Sequence, residues 1–435
     1  MTSKVSERSF MRRPAASIAA MLVTLFTPAA ASALEPVDAF VASSKTQSFD
    51  ARESRALLTQ RETEADATNV KLLPVLGATG TYTRNQFEAR VGDKLIIPEN
   101  QLDFYLTANL TLIDVGQWER IGAAKRTRDA AESRARSTNL DVARMVVRDY
   151  YQVVATEAVL SAAQRTLATA EKNLAFVTTR KEAGFAQELD QKRAEAEVAR
   201  NRQLIADATY QSAAARRALE TDSGKKPQDG APRLSADLAP EGPLVEWEAR
   251  VADGHPNVRA AADDARAAER QANATRASLL PTLSVAAQNR FTNATGFQDR
   301  ASIYTLSASV GIRFDASQIV VANGQSDAAA VARVREDRAR RAARDRVFLA
   351  WQSVRAQIDK AQAARAGVEA NRLAADIAKQ RYEAGTATFL DVLTAERDAF
   401  TAEVTRIQAD GDLLFSRADL RIAAGSYDGS ERSRP

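Results

Sequence analysis

The 435-residue chain contains no cysteine and a single histidine. Without thiols it can form no disulfide, thiol nucleophile, cysteine-ligated iron–sulfur cluster or lipidated N-terminal cysteine. The histidine, His255, lies in an Asp-Gly-His-Pro-Asn turn before a predicted helix, whereas a zinc site needs several nitrogen or sulfur ligands. The sequence also has no recognisable Ser-His-Asp arrangement, paired catalytic carboxylates or Walker motif. It therefore predicts a protein that is not an enzyme, has no catalytic residue, and needs no metal or cofactor.

Long hydrophobic runs are absent beyond the first 33 residues. Four basic residues precede an apolar run at 15–26, and small residues follow at 29–33. This order predicts a secretory signal peptide at residues 1–33, with Met1 or Met11 as the start. The run is shorter than the roughly 20 residues of a membrane-spanning helix, which disfavours a membrane anchor. Any membrane crossing by the mature chain must therefore be made by β-strands.

A strong charge of one sign is missing as well. The formal net charge is +4, and residues 1–33 carry four basic and one acidic residue, so about +1 remains for the mature chain. Arginine and lysine alternate with aspartate and glutamate along the predicted helices. This pattern is typical of solvated helix surfaces and predicts no nucleic-acid partner.

Two stretches of the chain repeat the same order of features. Leu-Leu-Pro occurs at residues 72–74 and again at 279–281, while Asp114 and Gly184 correspond to Asp315 and Gly385. Each stretch from Asp to Gly contains no proline, and about 67 helical residues would span roughly 100 Å. A helix of that length spans a distance far larger than a globular core would need.

Short segments of alternating apolar and polar residues lie in each copy. They predict strands at about 75–84 and 102–113, and at about 282–289 and 303–314. About ten alternating residues suit a tilted transmembrane strand with lipid on one face and water on the other. The predicted lumen-facing residues are Thr107, Asn109, Thr305 and Ser307. The alternation of the 102–113 segment alone fits a strand half-buried in a soluble sandwich equally well.

The order of segments predicts a mainly α fold with membrane β-strands. A first repeat at 34–221 has a helical hairpin at about 117–220, and a second at 246–424 has one at about 317–424. A Pro- and Gly-rich linker at 222–245 separates them, and 425–435 is a polar tail. Each repeat is therefore a helix-strand-strand-long helix-helix unit. Four strands cannot close a barrel, and lipid forbids open sheet edges, so sister copies would have to complete it.

The repeated order resembles the TolC family of outer-membrane efflux and secretion ducts over residues 35–425. The resemblance rests on Leu-Leu-Pro before each first strand, on the turns at 112–116 and 313–317, and on the hairpin tips at 182–184 and 382–393. It implies a homotrimer with a 12-stranded outer-membrane β-barrel continued by a periplasmic α-helical barrel. It also implies contact with outer-membrane lipid, a periplasmic adaptor and an inner-membrane pump, in efflux or type I secretion. Where the family turn usually ends Asp-Gly-Gly, this chain has Val115-Gly116 and Ala316-Ser317.

The same resemblance implies a periplasmic gate at the hairpin tips. The candidate residues lie beside the turn glycines, and position 387, which can be basic in the family, is alanine here. Thr388-x-x-Asp391 also matches a helix capping box, so local capping alone would explain that aspartate. The predicted gate and tip residues are Asp391, Asp190, Tyr382, Thr394, Gly184 and Gly385.

Two alternatives remain from the sequence, a periplasmic adaptor and a periplasmic coiled-coil scaffold. An adaptor would have a single hairpin beside compact β-domains, and a scaffold would leave the alternating strands without a role. The scarcity of histidine, methionine and cysteine disfavours a dedicated route for soft metals, and the sequence does not identify the cargo further.

Overall fold

The computed structural model describes residues 34–228, 230, 234–251, 254–312, 315–425 and 427. The predicted signal peptide at 1–33 lies outside this set. So do residues 313 and 314, which end the fourth predicted strand, and all but Gly425 and Tyr427 of the predicted polar tail.

The described residues form long helices joined to short antiparallel strands, in the same order in each half of the chain. Residues 296–298 add one 3-10 turn. The helices are α1 (Val37–Gln47), α2 (Phe49–Val70), α3 (Val115–Glu182), α4 (Glu188–Ser223), α5 (Leu244–Val251), α6 (Pro256–Ala277), α7 (Ala316–Glu383) and α8 (Phe389–Ala423). The strands are β1 (Val75–Arg84), β2 (Ala89–Val91), β3 (Lys94–Ile97), β4 (Asn100–Ile113), β5 (Thr282–Thr292) and β6 (Ser302–Gly311).

Three features of this fold, made by four elements, were not predicted from the sequence. Helix α1 occupies a segment for which no helix was predicted, and it forms because its Phe40 is fully buried against α3. The loop between the first two predicted strands contains the β2–β3 hairpin, whose turn uses Gly92 at φ 59°. Helix α5 begins at Leu244, inside the range predicted as linker, and buries Trp247. Two of the three depend on contacts with distant parts of the chain.

Both long helices begin at an aspartate that directly follows the sheet. Asp114 Oδ1 accepts a hydrogen bond from Gln117 N at 2.9 Å, and Asp315 Oδ1 accepts one from Ser317 N at 2.9 Å. These side chains satisfy backbone donors that the first turn of a helix leaves free. The departure from Asp-Gly-Gly therefore keeps the capping aspartate in both halves.

The helices pack side by side in one layer. Helices α3 and α7 have 68 residues each and run the length of the layer, while shorter helices share the positions beside them. Nearer the sheet, α3 packs between α2 and α6, and α6 packs on α7; farther away, α3 packs between α4 and α8, and α8 packs on α7. Helices α4 and α7 therefore form the two outer edges of the far half.

One face of this layer is covered by a belt, which we define as α1, α5 and residues 234–243. Val146 and Tyr150 of α3 pack with Phe40 of α1 in one buried cluster. Trp247 of α5 joins a second cluster with residues of α7 and α8. Arg417 of α8 donates to the carbonyl oxygens of Asp237 and Ala239. The belt thus marks one face of the helical layer and leaves the other face open.

The four longer strands form a single antiparallel sheet in the order β1-β4-β5-β6. Val75 of β1 pairs with Asn109 of β4, Asp103 of β4 with Thr292 of β5, and Thr282 of β5 with Gly311 of β6. Strands from both repeats therefore share one sheet, with β4 and β5 at its centre. Of the helices in the described ranges, none has both the length and the apolar character needed to span a membrane.

Candidate functional site

The strand register sorts the sheet residues onto two chemically different faces. Thr107 pairs with Gln288, which pairs with Thr305, and Asn109 pairs with Ala286, which pairs with Ser307. Because directly paired residues share a face, all four predicted lumen-facing residues lie on one polar face of the sheet. Their orientation toward a lumen stays a prediction.

The opposite face is apolar and exposed along most of its length. Leu106 is 44% exposed at the middle of β4, and Phe104 packs on Phe291 with ring centroids 6.2 Å apart. Outward-facing apolar side chains of this kind suit a sheet with lipid on one side. The exposed members are Leu76, Tyr82, Leu102, Phe104, Leu106, Leu112, Phe291, Tyr304, Leu306, Val310 and Ile312.

Sequence reasoning missed an ion pair on the polar face. Arg290 of β5 contacts Asp103 Oδ1 at 2.7 Å, and Gln101 donates to Asp103 Oδ2 at 2.7 Å. The Arg290 guanidinium also lies 5.8 Å from the Tyr105 ring centroid. The cluster fixes charged groups on the face that carries Thr107. Only the pairing of strands from different repeats brings Arg290 to Asp103.

The two hairpin tips turn at the predicted glycines. Gly184 has φ 82° and Gly385 has φ 77°, in the left-handed region that favours glycine. The amide of the following residue bonds the carbonyl oxygen of Arg180 at 2.8 Å in the first tip and that of Arg381 at 2.8 Å in the second. The tips therefore share one local geometry, with an arginine four residues before each glycine.

Asp391 forms a complete capping box with Thr388 at the start of α8. Its Oδ2 accepts from Thr388 N at 2.8 Å, and Thr388 Oγ1 accepts from Asp391 N at 3.3 Å. The backbone amide and the hydroxyl of Thr388 lower the pKa of Asp391 below its usual value. The exposed carboxylate is therefore charged at neutral pH as well as capping the helix.

The other predicted gate residues have different surroundings. Asp190 lies in the first turn of α4, 3.7 Å from Arg193. Thr394 donates to the carbonyl oxygen of Leu390 in its own helix at 2.9 Å. Tyr382 is buried, with its ring 5.4 Å from that of Phe389. Their participation in a gate stays a prediction.

Tyr382 lies where the two hairpins meet, and an arginine that sequence reasoning missed holds this contact. The Arg180 guanidinium lies 5.4 Å from the Tyr382 ring centroid and 5.6 Å from that of Phe176, and Arg180 Nη1 donates to the Glu383 carbonyl oxygen at 3.3 Å. Burial raises the pKa of the Tyr382 phenol, and the Asp190 carboxylate adds to the rise. The phenol is therefore neutral at physiological pH, and Arg180 clamps the tip of α3 onto the tip of α7.

The chain resembles known proteins both in sequence and in fold. The chain is 26% identical over 211 residues to the outer membrane efflux protein BepC of Brucella suis, a match that covers 46% of this chain and 45% of BepC. The matched region thus spans less than half of that relative.

Two solved structures resemble the fold over most of their length. CusC has TM-score 0.78 at 18% identity, covering 90% of this chain and 92% of CusC. The open state of the MtrE outer membrane channel of Neisseria gonorrhoeae has TM-score 0.74 at 20% identity, covering 91% and 90%.

These likenesses confirm the fold class predicted from the repeat. A family of outer membrane efflux proteins favours an efflux role over the adaptor and scaffold alternatives and agrees with the expectation of no enzyme. The model of one family, outer membrane efflux protein, matches residues 41–225 and 249–426, one block in each repeat and most of the chain together. The chain belongs to the outer membrane efflux protein family, and its place is the outer membrane.

Proposed function

We propose that three copies of this chain form the outer-membrane channel of a tripartite efflux pump or a type I secretion system. The observation that carries the proposal is the sheet, which has one exposed apolar face, one polar face, and long helices that all join it at the same end. Lipid would cover the apolar face, and cargo would pass the polar face without covalent chemistry. An inner-membrane partner would supply the energy.

Three copies follow from the edges of the sheet. Within the described chain, β1 and β6 each pair on one side only, and a bilayer does not tolerate unpaired strand edges. Joining β6 of one copy to β1 of the next would give a closed barrel of 12 strands from three chains. Edge helix α7 also exposes apolar side chains that a sister copy would cover, among them Val320, Val334, Leu349 and Leu373.

The hairpin tips are the proposed docking point for the adaptor and the pump. Phe185 beside the first turn is 76% exposed, and Leu189 and Leu390 are 52% and 46% exposed. Apolar side chains exposed at the end of a long polar rod suit a protein partner. Changes in the packing of the hairpins around Gly184 and Gly385 would open and close this end.

The proposed channel activity can be measured with the purified full-length protein in planar lipid bilayers. We expect discrete conductance steps from a species that migrates as a trimer before heating and as a monomer afterwards. Chemical cross-linking of the same sample should stop at three chains. A monodisperse monomer that produces no conductance steps would contradict the proposed function.

Asp391 can be tested for a gate role separately from its capping role. Asn can still accept the hydrogen bond from Thr388 N, so Asp391→Asn should leave trimer stability unchanged while it lowers cation selectivity of the pore. Asp391→Ala removes the acceptor too and should destabilise the start of α8. Reversal potentials in a salt gradient and thermal dissociation of the trimer measure the two effects. Unchanged selectivity in Asp391→Asn would leave Asp391 as a cap only.

A further inference from the structure

A groove runs between α4 and α8, with α3 as its floor. The two wall helices barely touch each other, so the groove stays open between them, and its volume is about 780 Å³. Glu197 of α4 and Arg397 of α8 form an ion pair across the gap toward the hairpin tips. Its lining residues are Arg148, Asp149, Tyr151, Gln152, Ala155, Thr156, Val159, Ala163, Leu204, Asp207, Ala208, Gln211, Phe400, Val404, Gln408, Gly411, Asp412 and Phe415.

The groove opens on the face of the helical layer that the belt does not cover. On α3, Val146, Tyr150 and Val153 belong to the cluster with α1, whereas Gln152 and Val159 line the groove. At 100° per residue, the middle of the first set points roughly 140° away from that of the second around the helix axis, and Tyr151 belongs to both the cluster and the groove lining. The belt would lie outside the proposed tube, because inside it would occupy the lumen that cargo must pass. The groove therefore faces the lumen.

The groove lies away from the lateral contacts of the proposed trimer. Those contacts would be made by the outer edges of the layer, which are α7 and the far side of α4. The floor of the groove is α3, which lies between α4 and α8 inside the layer. A sister chain added at either edge would therefore leave the groove open to the lumen.

The chemistry of the lining is apolar on the walls and negative at the polar positions. Tyr151, Phe400, Val404 and Phe415 supply aromatic and aliphatic surface. Three carboxyl groups line the groove, those of Asp149, Asp207 and Asp412, against a single cation, Arg148. A cavity of this size with apolar walls and a few converging polar groups has the composition of a small-molecule site.

Asp149 lies in the groove beside a further carboxyl group, that of Asp222. Its Oδ2 is buried, and a side-chain hydrogen bond joins the two carboxyl groups when one of them is protonated. Burial and the neighbouring Asp222 carboxyl raise the pKa of Asp149 to about 7, and burial also raises the pKa of Asp412. Both carboxyls would become more fully ionised if a cation entered beside them.

We propose that this groove binds an amphipathic organic cation, with its positive group among Asp149, Asp207 and Asp412 and its apolar part against Tyr151, Phe400 and Phe415. The site would hold cationic cargo in the wall of the lumen during passage. This role rests on the proposed channel function, whereas binding itself can be measured independently of conduction.

The test uses the full-length trimer in detergent and the fluorescent cation rhodamine 6G, with neutral Nile red as the comparison dye. Fluorescence polarisation should show saturable rhodamine 6G binding that excess tetraphenylphosphonium displaces. The double variant Asp207→Asn/Asp412→Asn should bind rhodamine 6G about tenfold or more weakly and Nile red as before. Asp398→Asn is the matched control, because Asp398 lines the neighbouring groove between α7 and α8 and not this one, whereas Asp412 lies between the two grooves and lines both. Val404→Trp, which fills the groove, should weaken binding of both dyes.

Acidification should also weaken rhodamine 6G binding. The pKa of Asp149 is raised to about 7, so lowering the pH from 8 to 5.5 protonates it and removes negative charge. Burial raises the pKa of Asp412 as well. The other charged groups nearby are Arg148, Asp207, Asp222 and Lys360. Non-saturable binding by the wild type, equal affinity in the double variant, or equal loss in Asp398→Asn would each overturn the site. Conductance steps from the same samples separate this failure from failure of the channel function, because a channel without the site would still conduct.

Discussion

Replacing Arg180 by alanine should increase the time that the purified trimer spends in its high-conductance state. The substitution removes two cation–π contacts, to Tyr382 and Phe176, and the hydrogen bond to the Glu383 carbonyl oxygen. Because Phe176 lies on α3 itself, only the contacts to Tyr382 and Glu383 join the two tips. Together these two contribute about 1.4 kcal/mol per chain, which corresponds to a roughly tenfold shift between closed and open tips. Single-channel recording in planar bilayers measures this as open probability.

Two further variants define how the Arg180 clamp works. Arg180→Lys keeps the charge but loses the planar group that stacks on both rings, so its open probability should lie between wild type and Arg180→Ala. Arg193→Ala is the matched control, because Arg193 lies in the same tip and pairs only with Asp190 of its own helix. Its open probability should match wild type. If the open probability of Arg180→Ala equals that of wild type, the Arg180 clamp does not hold the tips closed.

Leu106→Arg should abolish trimer assembly in the outer membrane, whereas Thr107→Arg should assemble and change the ion selectivity. The two residues are neighbours in β4 and lie on opposite faces of the sheet. Arginine on the lipid face near the bilayer midplane costs about 2–4 kcal/mol per copy. Arginine at Thr107 would be solvated by lumen water and would lower cation permeability. Heat-sensitive trimers in outer-membrane fractions and reversal potentials measure the two outcomes.

One outcome for this pair of variants would contradict the assignment of the two faces of the sheet. If Thr107→Arg were lost from the membrane fraction while Leu106→Arg assembled, the assignment of the two faces would be reversed. Leu106→Met, which keeps an apolar side chain of similar volume, controls for any change at that position and should assemble normally.

Much of the fold could be predicted from sequence because its signals are local. Asp114 and Asp315 cap the helices that follow them, and Gly184 and Gly385 supply the left-handed turns at the tips. The strand alternation likewise depends only on neighbouring residues. None of these signals depends on contacts between distant residues, so the repeated unit could be predicted from the order of residues.

The candidate site could be predicted less well from sequence, because its contacts join residues that are distant along the chain. An arginine precedes each tip glycine by four residues, yet only the tertiary structure, in which the two hairpin tips meet, shows that Arg180 contacts Tyr382 across the hairpins. Asp149 and Asp412 are 263 positions apart (412 − 149) and line one groove only because α3 and α8 pack together. The spacing of residues along one helix or strand does not show which side chains from distant segments come into contact.

The repeated elements, their caps and turns, and the alternation that separates apolar from polar strand positions all follow from the order of residues. Which strands share the sheet, which face of the helical layer the belt covers, and which charged groups meet in the groove and at the tips depend instead on how the folded chain packs. Backbone geometry and side-chain period act over a few residues, whereas burial and ion pairing depend on helices brought together from both halves of the chain.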